Sequence, residues 1–200
     1  MRMDVSFASA IVILLLVMDP IGNIPMFVSL LRNVAPARRT QVILRECAIA
    51  FGVLLAFVFC GPAILALLGL SDSSLTIAGG VILFLIALRM IFRHPEGVFG
   101  DSAQGEPLIV PLAIPSIAGP AAIATVVLLV SRQPERWVEW SAAVTVAMLV
   151  SAVLLLFAER ISRLVGERGL LAFQRLMGLI LTAIAVEMLL RGIQTFVRQL

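Results

Sequence analysis

The sequence predicts an all-α polytopic membrane protein of six transmembrane helices, built as two inverted three-helix repeats, with helices 1 and 4 each broken at a Pro-x4-Pro. Three observations carry that prediction: the composition, the spacing of the apolar stretches, and a repetition of the first half of the chain in the second. Of the 200 residues 61% are hydrophobic and 14% charged, and the mean hydropathy is +1.11. So large an apolar surplus has to face lipid as well as protein.

A bilayer core about 30 Å thick takes roughly 20 helical residues to cross, and stretches of about that length run from 5 to 31, 44 to 70, 74 to 93, 108 to 130, 138 to 159 and 172 to 197. The first follows Arg2 as a signal peptide would. No small-residue cleavage site follows it, however, and the chain turns apolar again from Ile24 to Leu31, so it is read as a span. Within it "VMDPIGNIPMF" (17 to 27) sets Asp19, Pro20, Gly22, Asn23 and Pro25 where a helix should be half finished. The second stretch holds Cys47 and Cys60, roughly 20 Å apart along one helix, too far to bridge and read as small core residues. The polar segment "HPEGVFGDSAQGE" (94 to 106) follows the third stretch. In the fourth, "AIPSIAGPA" contains Pro115, Ser116, Ala118, Gly119 and Pro120. The fifth opens with Trp137 and Trp140, which are expected as anchors at the membrane interface.

All 15 basic residues are arginine, with a net charge of +3. They lie between the apolar stretches and not on one face, which excludes a nucleic-acid partner and marks loops. Ten fall after stretches 1, 3 and 5 and five on the other side, so those loops are expected inside and both termini outside.

The chain repeats itself. Pro20 and Pro25 recur as Pro115 and Pro120, displaced by 95. The same offset maps Ala48, Gly52 and Ala56 onto Ala143, Ala147 and Ser151, small residues whose spacing lets helices approach closely. An offset of 98 maps "GVILFLIALRMIFR" (80 to 93) onto "GLILTAIAVEMLLR" (178 to 191). The single membrane domain, 1 to 200, thus divides into a pseudo-repeat 1 to 93, a linker 94 to 106 and a pseudo-repeat 107 to 200. Three spans per half turn the second half upside down, the inverted-repeat architecture of secondary transporters.

Proline removes an amide donor and clashes with the carbonyl four residues back, at a cost of several kcal/mol per unsatisfied group in lipid. Pro20 with Pro25, and Pro115 with Pro120, therefore mark breaks that survive only where they line a cavity or meet protein. Half-helices restarting near Asn23 and Gly119 would offer free amides to a carboxylate. Freed carbonyls with Asp19 suit an ammonium group or small cation, so the two breaks together suit a zwitterion. Ser116, Ala118 and Gly119 leave little volume, which makes a small, uncharged side chain the expected substrate. Candidate binding residues are Asp19, Gly22, Asn23, Ser116, Ala118 and Gly119, with Pro20, Pro25, Pro115 and Pro120 as the structural breaks. Two plain alternatives stand beside this: proline-kinked helices with no ligand, and Asp19 serving only nearby amides.

An acid at membrane depth is a functional candidate by default. Asp19 is the candidate carrier of a coupling proton, with sodium held by carbonyls as the alternative ion. Glu187 is a second coupling candidate, although it lies four residues before Arg191 in the favoured order for a helical ion pair. No cofactor and no metal-ligand cluster is expected. His94 sits in a loop and Asp19 has no carboxylate partner in its motif, so an enzyme is not expected either.

These residues carry a resemblance. "MDPIGNIPMF" (18 to 27), "GGVILFLIALRMIF" (79 to 92), "PLAIPSIAGPAAIATVVLL" (111 to 129) and "QRLMGLIL" (174 to 181), where the family pattern reads ERLMGLIL, resemble the MarC family of bacterial and archaeal integral membrane proteins. That family is also classed as six-helix neutral amino acid transporters. The resemblance covers nearly the whole chain. It implies an inner-membrane protein of bacteria or archaea carrying glycine, alanine and similar amino acids on an ion gradient, and it puts Pro20, Gly22, Asn23, Pro25, Pro115, Gly119 and Pro120 in the central motifs. A passive channel, a non-transporting scaffold and an exporter of another small solute are the rival functions, and motifs alone do not separate them from a carrier.

Overall fold

The structure, a computed structural model, describes residues 5–92 and 117–198. The linker 94 to 106, with Pro115 and Ser116, lies outside the described residues. Seven α-helices make up the described chain: α1 Phe7–Met18, α2 Ile24–Leu30, α3 Pro36–Leu67, α4 Asp72–Ile91, α5 Pro120–Arg132, α6 Trp137–Leu156 and α7 Ala158–Val197. Among the described residues there is no strand. Among the described residues four helical stretches are long and apolar enough to cross a membrane: Pro36–Leu67, Asp72–Ile91, Pro134–Leu156 and Arg168–Val197. Phe7–Met18 and Pro120–Arg132 are shorter apolar helices. Leu67 is 86% exposed and Leu164 89%, in a surface whose apolar extent suits lipid.

Local chemistry sets the boundaries. Ser6 caps α1 by accepting from the Ser9 amide at 3.1 Å, and Ser71 caps α4 from Ser74 in the same way. Pro36 opens α3 and Pro120 opens α5, where a missing N–H costs nothing. α3 ends in a Schellman motif. Gly69 adopts φ +64°, its amide donates to Ala66 O, and the Leu70 amide donates to Leu65 O. Gly166, at φ 71°, interrupts α7 ahead of its membrane-length portion. Because nothing stops the helix after Pro36, α3 begins eight positions ahead of the expected 44, and Arg38, Arg39 and Arg45 ride on its first turns.

α4 packs along α7, α1 against α6, α3 against α5 and α6, and α2 against α7. The α4–α7 contact is antiparallel and reciprocal. A Cβ on Gly80 would lie 3.1 Å from Ala185 O, 3.1 Å from Leu189 Cγ and 3.2 Å from Met188 Cβ. A Cβ on Gly178 would lie 3.0 Å from Ala87 O, 2.9 Å from Ile91 Cγ1 and 3.1 Å from Met90 Cβ. Every residue of the first set maps onto the second by the offset of 98.

Three expectations are corrected. Ala48, Gly52 and Ala56 are exposed, and a Cβ on Gly52 would meet nothing within 4 Å, so they are not a packing stripe. The buried face of α3 is Ile43, Glu46, Cys47, Ala50, Leu54 and Val58, which matches buried Trp140, Ala143, Val144, Ala147, Ser151 and Leu155 at an offset of 97. A shift of two residues turns a helix by about 200°, enough to exchange its faces. Trp140 is buried and not an interfacial anchor. Its indole N–H donates to Gln133 O at 3.1 Å and Arg136 stacks on its ring at 4.4 Å, while Trp137 is half exposed beside Phe59. Cys47 is buried, but Cys60 is exposed and not a core residue.

Candidate functional site

The apolar helix stops at Met18 and resumes at Ile24, and the five residues between form a compact turn. Asp19 is the one non-glycine among the described residues at positive φ, 41°, a conformation that Asp tolerates better than most side chains. Its own amide still bonds Leu15 O at 3.0 Å, its carbonyl accepts from the Asn23 amide at 3.1 Å, and its Oδ1 accepts from the Gly22 amide at 3.0 Å. The side-chain amide of Asn23 donates to Met18 O at 3.0 Å, serving a carbonyl at the end of α1. Asp19 is 4% exposed, and Pro20 and Gly22 are buried.

The geometry narrows the expectation of free amides near Asn23. The amides of Gly22, Asn23 and Ile24 all have acceptors within the turn, the last in Ile21 O, and Pro25 has none to offer. The turn closes on itself through these three bonds, while the amides of Ile21 and Met26 have no acceptor among the described residues. The start of α5 differs. Gly119 is extended at the N-cap without a side-chain bond, and the Ile123 amide is the first to reach an acceptor in the helix, Gly119 O. The amides of Ala121 and Ala122 therefore have no acceptor inside α5.

A cavity of about 30 Å³ brings the two elements together. Asp19 and Asn23 line it from one side, Gly119, Pro120, Ala121 and Ala122 from another, and Leu83, Met90 and Leu181 close it. That space holds a water or two and no amino acid as it stands. Ala118 is fully buried next to it; Pro115 and Ser116 lie outside the described residues. Pro25 is half-buried in the first turn of α2. Glu187 does not line this cavity. It is exposed, pairs with Arg191 one turn on, and lines a second cavity of about 540 Å³ between α1, α4, α5 and α7. Val17 lines both.

Two features escape the sequence reading. The larger cavity is one, since its walls come from four helices whose rotation no single stretch reveals. The other is Glu46, fully buried on α3, whose Oε1 accepts from Arg45 Nη2 at 2.8 Å while its Oε2 has no partner. The signal existed: Glu46 falls on the helical face of Ile43, Cys47, Ala50 and Leu54, yet beside Arg45 it reads as part of a surface ion pair.

Known proteins agree with a place in the membrane. The model of the MarC family integral membrane proteins matches residues 5–197. The UPF0056 inner membrane protein YhgN of Escherichia coli (strain K12) is 45% identical over 191 residues, 95% of this chain and 97% of the relative. A UPF0056 membrane protein of Buchnera aphidicola subsp. Schizaphis graminum is 40% identical over 188 residues, 94% of this chain and 96% of the relative. One from Chlamydia pneumoniae is 36% identical over 176 residues, 88% and 87%. No solved structure matches the chain. Helices of membrane length, an apolar exterior and a family match over nearly every residue lead to one conclusion: the chain belongs to the MarC family of integral membrane proteins and is a multi-pass membrane protein.

Proposed function

We propose that this protein is a secondary active transporter of small neutral amino acids, the glycine and alanine class, in the inner membrane. The observation that carries the reading is the small cavity, where a buried carboxylate and two helix amides without intrahelical acceptors share one wall-to-wall space. The substrate ammonium goes to Asp19 and its carboxylate to the amides of Ala121 and Ala122, at the positive end of the α5 dipole. A cavity of about 30 Å³ opens to accept only a small side chain. The inner-membrane location follows the name of the E. coli relative.

Six spans in two inverted halves, joined by the segment 94 to 106, supply the motion. α1 with α2 forms the first span and α5 the outer part of the fourth. The reciprocal contacts of Gly80 and Gly178 across antiparallel helices support that arrangement, because they are what a two-fold axis in the membrane plane generates. Rocking of one half against the other exposes the cavity to alternate sides. Both termini lie outside, by the arginine distribution. The proton is the coupling ion, carried by Asp19, with sodium as the alternative; Glu187, paired with Arg191 and not lining the small cavity, ranks second to Asp19 as a coupling residue.

Counterflow of radiolabelled glycine and alanine in proteoliposomes tests this. Wild type is expected to show saturable exchange. Gly119→Leu abolishes it, since the added side chain fills the cavity. Asp19→Asn keeps an acceptor for the Gly22 amide and retains exchange at lower affinity, but loses proton-driven accumulation. Folded wild-type protein that exchanges no small neutral amino acid would refute the reading and leave a channel or scaffold.

A further inference from the structure

The cavity of about 540 Å³ has no part in the site at the break, and its chemistry is different. Its floor is apolar, formed by Val17, Leu129, Ile184 and Met188. Its rim is charged, with Asp72 from the first turn of α4, Arg132 from the last turn of α5, and Glu187 and Arg191 from α7. Glu187 and Arg191 neutralise each other. The Asp72 carboxylate and the Arg132 guanidinium make no ion pair or hydrogen bond with another described side chain. From Arg132 back to Thr125, both on the wall, is about 10 Å along α5. The cleft is thus deep enough to take an aliphatic side chain below the charges.

A free anion and a free cation at the rim of an apolar cleft complement a zwitterion that carries a hydrocarbon tail. We infer that the cleft binds a branched aliphatic amino acid, with its carboxylate on Arg132, its ammonium on Asp72 and its side chain on the apolar floor. Glycine has nothing to lay on that floor, so leucine is favoured over it by at least roughly tenfold. Val17 lines both the cleft and the cavity at the break, and the latter has about 30 Å³ and cannot take a leucine. Leucine therefore occupies the cleft without passing on and inhibits entry of smaller solutes. The inhibition rests on the transport reading; the binding does not.

The test is equilibrium binding of radiolabelled leucine to the purified full chain in nanodiscs, beside glycine counterflow by the same preparations. Saturable binding is expected, weakened roughly fivefold by Asp72→Asn and by Arg132→Gln, more so at low salt. Isoamylamine lacks the carboxylate and 4-methylpentanoate lacks the ammonium, so neither displaces leucine well from wild type. In Arg132→Gln isoamylamine competes on nearly equal terms, which a merely structural role for Arg132 would not produce. Ile184→Trp, which fills the floor, abolishes binding while the helices stay folded by circular dichroism. Absence of saturable leucine binding to folded wild type overturns the inference, as does binding indifferent to both charge substitutions. Leucine binding without glycine exchange supports the cleft and refutes the transport reading; exchange without leucine binding does the reverse.

Discussion

Gly22→Ala is expected to abolish amino acid exchange and to lower stability by about 1–3 kcal/mol, the usual cost of overpacking a filled interior. A Cβ at Gly22 would touch Asp19 Oδ2 and lie 2.6 Å from Asp19 Cγ and 2.7 Å from Met90 Cε. The end of Met90 is flexible and can yield. Asp19 cannot, because its Oδ1 is held by the amide of Gly22 itself and its backbone is fixed at φ 41°. The methyl group therefore expels the carboxylate from the cavity. Counterflow in proteoliposomes and thermal unfolding in detergent measure the two effects. Gly52→Ala is the control: its added methyl meets nothing within 4 Å on an exposed helical face, so exchange stays intact and stability rises by a few tenths of a kcal/mol to about 1 kcal/mol. Equal behaviour of the two variants would remove Gly22 from the site.

Gly80→Leu and Gly178→Leu are expected to destabilise the protein severely and by nearly equal amounts. Each glycine lets α4 and α7 approach until a Cβ would stand about as close to a main-chain carbonyl as to side chains: Ala185 O at 3.1 Å from Gly80, Ala87 O at 3.0 Å from Gly178. A carbonyl inside a helix cannot step aside, so a leucine at either position pushes the helices apart. The cost is about 1–3 kcal/mol or more, and the proposed two-fold relation of the halves requires it to be nearly the same at both sites. Unfolding followed through Trp137 and Trp140 fluorescence measures it. A large difference between the two would count against the two-fold relation, whereas near-equality is hard to explain by chance packing.

Composition was enough for the class, since a chain so rich in apolar residues can satisfy its backbone in lipid only as helices or a closed barrel, and its apolar runs have helical length. The interruption at Asp19 was legible for a local reason: prolines remove donors wherever they stand. Serine caps and Gly69 likewise act within a turn of themselves. The rotation of each helix was harder to read. An offset of 95, taken from the prolines, put Ala48, Gly52 and Ala56 on the inner face of α3, while the structure buries the set displaced by 97. In a helix whose residues are nearly all apolar, hydrophobicity no longer says which side faces protein. Small residues serve lipid and packing equally well, and a slip of two positions reverses the face.

By itself, then, the sequence determined that this is a helical membrane protein, where its first apolar helix is interrupted, and which halves resemble one another, all matters of local backbone chemistry and one-dimensional pattern. Only the tertiary structure decided that the amides of Gly22, Asn23 and Ile24 find acceptors inside their own turn, that Ala121 and Ala122 share a cavity with Asp19, that Glu46 is buried with an oxygen unpartnered, and that four helices enclose a charged-rimmed cleft. Each of these depends on how helices are rotated and set against one another. That arrangement comes from packing between distant residues, which no single stretch of chain encodes.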